Sequence, residues 1–160
     1  MEFRKLFEMQ RELDTFIEKT QGINRDVFKE KGLALMIELA ELANETRCFK
    51  FWSTKGPSER EVILEEFVDS IHFLLSLGNE KGLSLEEWPE VKVKEDLTDW
   101  FLRTQEGILT FIQNPTRNSY QKVWQHYGVL AFNLDFTLED IIKAYFAKNE
   151  KNYDRQRNGY

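Results

Sequence analysis

The sequence predicts an all-α chain, a bundle of five or six helices, on three observations. Long segments carry apolar residues at near-helical spacing. No segment sustains the alternation of apolar and polar residues, bounded by turn dipeptides, that would mark a strand. Capping pairs, glycines and prolines punctuate the chain at helix-length intervals.

The first segment, 2–19, places Phe3, Leu6, Phe7, Leu13, Phe16 and Ile17 on one stripe, with Gln10 and Asp14 at its edge. Gly22 ends it, and Asn24 or Asp26 can cap the next helix. That second helix runs to about Cys48. Between Leu33 and Ala43 it is apolar except for Glu38 and Glu41, a pattern that predicts burial on nearly all sides. Residues 50–57 form a loop with Trp52 and Lys55 in it. Ser58 with Glu61 reads as a capping box for a third helix that ends near Leu77, where Gly78 and Gly82 follow. Ser84 and Glu87 suggest a short capped turn stopped by Pro89. Helices over 94–112, 118–132 and 137–157 complete the bundle, the last opened by Thr137 and Asp140.

Two acidic pairs carry the chemistry. Glu38 and Glu41 sit three residues apart and project from one helical face; Glu66 and Asp69 repeat the spacing on the next helix, where Val62 and Phe73 share their face. Buried carboxylates are costly unless paired, neutralised or bound to metal. Facing one another, the pairs would form an all-oxygen cage of the kind hard cations such as Mg²⁺ prefer. A solvated acidic stripe is the plainer reading of one such pair, but the apolar surroundings of both weigh against it. Glu45 and Glu65 extend the stripes as extra ligands or as exposed residues. On the last helix Lys148, Asn152 and Arg155 share a face and could clamp an anion, although a basic helix end also suits the dipole.

Other classes are excluded or disfavoured. At 160 residues the chain suffices for one domain, 1–160, and its formal charge of −6 at pH 7 argues against a nucleic-acid or anionic-membrane binder. The single cysteine, Cys48, permits no intrachain disulfide and suits a reducing cytoplasm. The start of the chain is charged and amphipathic, unlike a signal peptide, and no apolar run approaches a membrane span. A di-iron bundle needs two Glu-x-x-His motifs, and only Asp69-x-x-His72 comes close, so His72 reads as a core residue or a neighbour of the acids. A zinc site lacks ligands, and no P-loop is present.

Glu38-x-x-Glu41 followed by Glu66-x-x-Asp69 resembles the metal motif of the MazG-like all-α NTP pyrophosphatases, and the whole chain looks like their dimeric dUTPase branch. The resemblance rests on FEMQRELD, IELAELANETRCFKFW, EEFVDSIHFLLS and YFAKNEKNYDRQRNGY in this order. Ile37 stands where many members of the wider superfamily carry another acid. The resemblance implies that Glu38, Glu41, Glu66 and Asp69 hold two or more Mg²⁺ ions bridging the phosphates of dUTP. Water, oriented or deprotonated by Glu38, would attack the α-phosphate to give dUMP and pyrophosphate, with dUDP as a further candidate substrate. Phe73 matches the ring that stacks on uracil, and Gln10 a polar residue near base and sugar; Asp14 stands where Asn is common. His72 falls in the same substrate region. Trp52 and Lys55 match a loop bordering the phosphates, and Lys148, Asn152 and Arg155 the motif that closes over them. A homodimer is also implied. The alternatives are a relative acting on dCTP or a damaged NTP, and a non-enzymatic helical dimer that keeps the acids for structure.

Overall fold

A computed structural model describes residues 2–160, which form six helices and no strand among the described residues. The helices are α1 (Lys5–Gln21), α2 (Phe28–Thr46), α3 (Arg60–Glu80), α4 (Leu97–Gln113), α5 (Arg117–Asn133) and α6 (Leu138–Arg157). None is long and apolar enough to cross a membrane.

Helix α3 is the axis of the bundle and packs against α1, α2 and α6, while α4 lies between α2 and α5. Its sequence explains the position. From Phe67 to Gly78 the helix is buried on almost every side, and the two serines there are both hydrogen-bonded. Ser70 Oγ donates to the Phe67 carbonyl at 2.6 Å, and Tyr120 on α5 donates to the Leu74 carbonyl at 2.7 Å. A buried polar group is tolerated when bonded in this way. Tyr120, Trp124 and Tyr127 bring α5 into an aromatic core with Phe3, Phe7, Phe67 and Trp88.

The helix ends follow their local chemistry, with three departures from expectation. Gly22 closes α1 at φ 66°, and the Asp26 carboxylate accepts from the Phe28 N–H at 2.9 Å near the start of α2. Helix α3 begins after Glu59, not at Ser58, because the Ser58 hydroxyl is engaged by Glu45 on α2. It also continues past Gly78 to Glu80: Gly78 is a point of close approach rather than a terminator. The positive φ falls at Gly82. Residues 83–96 contain no helical turn where Ser84 and Glu87 suggested one; instead the Pro89 carbonyl runs directly over Gly128 of α5. Helices α4 and α5 start at the Asp96 and Thr116 caps, and α6 has the expected Thr137–Asp140 capping box.

Helix α2 is not covered on all sides. Leu33 and Ile37 are 62% and 52% exposed, and α4 beside it exposes Leu102 and Leu109. The apolar excess that predicted full burial instead leaves an open face.

Gly78 yields a stability prediction. A Cβ there would lie 2.1 Å from the Tyr120 hydroxyl oxygen and 2.8 Å from the Leu83 carbonyl oxygen. Gly78→Ala is expected to cost about 1–3 kcal/mol as an overpacked core, read as a lower denaturation midpoint. An unchanged midpoint would show that α5 can move away freely.

Candidate active site

The acids meet because α2 and α3 lie side by side with both acidic faces turned to one cleft. Glu38, Glu66 and Asp69 each offer a carboxylate oxygen, and these oxygens lie within 4.8 Å of one another. One oxygen of Glu38 and one of Glu66 are buried with no hydrogen-bond partner. Burial pushes Glu38 up to about 8, helped by the negative charges of Asp69, Glu41 and Glu66. Burial likewise raises Glu66 to about 7, with Asp69 and Glu41 adding repulsion. Glu41 itself is exposed at the margin of the group.

Such a site has unused acceptors and too little positive charge. Asp69 has an ion-pair partner: Lys148 Nζ on α6 lies 2.9 Å from its Oδ1 and 3.0 Å from Glu65 Oε1. Burial still holds Asp69 above the usual carboxylate range. Orphaned oxygens converging from two helices are the donor set a hard divalent cation takes. The residues present therefore fit such an ion.

Beside the acids opens a cleft of about 330 Å³. Gln10, Asp14, Glu38, Asp69, His72, Phe73, Lys148, Asn152 and Arg155 line it. Glu66 joins this group through the acid cluster. Trp52 and Lys55 are not brought there. Trp52 is 64% exposed, and the loop is drawn back along the end of α2 by Arg47, which donates to Ser53 Oγ at 2.8 Å and the Lys55 carbonyl at 3.0 Å. Glu45 and Glu65 are outside the cage: Glu45 accepts from Ser58, and Glu65 pairs with Lys148 and Lys151.

The floor of the cleft is a polar network. Gln10 Nε2 donates to Asp14 at 2.9 Å, Ser76 Oγ donates to Asp14 at 2.6 Å, and Tyr145 donates to Gln10 Oε1 at 2.8 Å. His72 stacks on Tyr145 at 4.3 Å between ring centroids, with neither ring nitrogen hydrogen-bonded. Burial, reinforced by Lys148, pushes its pKa down to about 3, so the ring is neutral at ordinary pH.

Sequence reasoning missed Lys31, Ser76, Tyr145 and Tyr160 as parts of this region. Ser76 follows Asp69 by seven residues, two helical turns, so the spacing carried a usable signal. Tyr145 shares the helical face of Lys148 and Asn152, but a tyrosine at that spacing adds no independent chemistry and reads as core.

Compared with known proteins, the chain matches the model of a family described as dUTPase over residues 2–160. No curated protein matches it.

A pH dependence follows for the metal-free chain. Glu38 and Glu66 titrate higher when folded than when unfolded, so the folded chain holds more protons and loses stability as pH rises through 7 and 8. Above about pH 7.5 the two histidines are neutral in both states and do not oppose this trend. The melting temperature is therefore expected to fall between about pH 7.5 and 8.5, and Glu38→Gln to flatten that fall. A melting temperature constant over the range would contradict the crowding of these acids.

Proposed function

The chain belongs to the dUTPase family and is a dUTP diphosphatase, and from that premise we propose a Mg²⁺-dependent hydrolysis of dUTP to dUMP and pyrophosphate by one domain, 1–160. The observation that carries the metal dependence is the set of buried, unpartnered carboxylate oxygens shared by α2 and α3. Glu38, Glu41, Glu66 and Asp69 would hold two or more Mg²⁺ ions. When bound, Mg²⁺ neutralises phosphate charge and lowers the barrier to attack on phosphorus.

The residues divide the remaining work by position. Glu38, which lines the cleft as well as belonging to the acid cluster, accepts a proton from the attacking water as the oxygen bonds to the α-phosphorus and the bond to the β-phosphate oxygen breaks. Pyrophosphate leaves. Lys148, Asn152 and Arg155 of α6 face the phosphates and supply charge and hydrogen bonds. Lys148 must then trade part of its contact with Asp69 and Glu65 for substrate. Phe73 offers its ring to the base, and Gln10 and Asp14 meet base and sugar, with neutral His72 as a wall. Trp52 and Lys55 are left out of this constellation, since their loop lies outside the cleft. Hydrolysis at the α-phosphate does not require a γ-phosphate, so dUDP fits the same chemistry.

The open face of α2 and α4, with Leu33, Ile37, Leu102 and Leu109, suits a homodimer contact. A reducing cytoplasm suits the single free Cys48.

With Mg²⁺ present, kcat/KM for dUTP is expected to exceed that for dCTP, dTTP and a damaged nucleotide, measured as pyrophosphate release. Equal values for dUTP and dCTP would favour the broader pyrophosphatase reading. Glu66→Gln is expected to lower kcat by at least about a hundredfold without unfolding the chain; unchanged turnover would remove Glu66 from the metal site. Mg²⁺ at about a hundred times its Kd is expected to add about 2.7 kcal/mol of stability, seen as a higher melting temperature. No shift would count against the metal cage.

A further inference from the structure

Tyr145 reaches the cleft from behind. It lies on α6, fully buried, with its ring stacked on His72 of α3 and its hydroxyl donating to Gln10 Oε1 on α1. Gln10 is only 3% exposed although it lines the cleft. Its carbonyl oxygen therefore needs a donor within the protein, and Tyr145 supplies it.

That bond also fixes which way the amide faces. Asp14 already accepts from Ser76, and an inverted amide would set the Gln10 carbonyl oxygen against the Asp14 carboxylate. With Tyr145 holding Oε1, one Nε2 hydrogen goes to Asp14 and the other is the donor Gln10 can offer a ligand. A fixed donor selects a ring carbonyl over an exocyclic amino group at the same position.

We infer that Tyr145 is a positioning residue for base selection: its hydroxyl locks the Gln10 amide so that the cleft presents an N–H to a carbonyl of the nucleotide base. Tyr145 stands one helical turn before Lys148, on the helix that also carries Asn152 and Arg155. Docking of α6 on α1 thus sets the base-reading amide and the phosphate-facing cations in one event. The inference rests on Gln10 being a base contact.

Tyr145→Phe keeps the ring and its stack on His72 and removes only the hydroxyl. The variant is expected to raise KM for dUTP about tenfold, with kcat within about threefold of the parent. Preference for dUTP over dCTP is expected to fall about tenfold. Gln10→Ala should lose at least as much preference, and adding Tyr145→Phe to it should cost nothing further. If Gln10→Ala loses preference and Tyr145→Phe does not, the role of Tyr145 is overturned while the Gln10 contact stands. If Gln10→Ala keeps full preference, the base contact fails and this inference falls with it.

Discussion

The structure depends on carboxylates gathered where water is scarce. Two adjacent helices turn Glu38, Glu66 and Asp69 toward one point, and too few positive groups meet them. An arrangement of this kind costs folding free energy, and proteins retain such costs at sites where a ligand later offsets them. The rest of the bundle can be understood as holding these side chains in place. From Phe67 to Gly78 helix α3 is buried on almost every side, so Asp69, and Glu66 immediately before that stretch, are held by a rigid element. Gly78 and Tyr120 bring α5 close enough to lock it there.

Helix α6 is the counterpart to the acids. Its Lys148 bridges Asp69 and Glu65, a cation set between two carboxylates of α3. Through Tyr145 the same helix reaches the polar network of α1. Acids, cations and the Gln10 amide therefore belong to one connected unit built from α1, α2, α3 and α6. Helices α4 and α5 supply core and the exposed Leu102 and Leu109.

Much of this was legible in the sequence, for identifiable reasons. All six helices follow from apolar spacing and caps; Thr137 with Asp140 marks the start of α6 as its chemistry demands. The acidic pairs stood out because their neighbours are apolar. Signals that depend on a distant partner were misread. Gly78 looked like a helix end because its reason, Tyr120, lies 42 residues on. Ser58 looked like a cap because Glu45, which engages it, belongs to the previous helix. Leu33 and Ile37 looked buried because apolar character does not say which neighbour will cover it. Trp52 and Lys55 looked like ligand contacts because an aromatic and a cation stand in the loop between the two acidic helices, but Arg47, a local partner that the pattern does not reveal, holds that loop by Ser53 and the Lys55 carbonyl.

The central claim is that α2 and α3 converge their acids on a divalent ion. Diffraction from crystals grown with Mn²⁺, collected at the manganese absorption edge, tests it most directly. The account predicts an anomalous peak at bonding distance from carboxylate oxygens of Glu38, Glu66 and Asp69, with Lys148 Nζ displaced from Asp69. Crystals in which these side chains point apart, or in which manganese binds only at other acids, would contradict it.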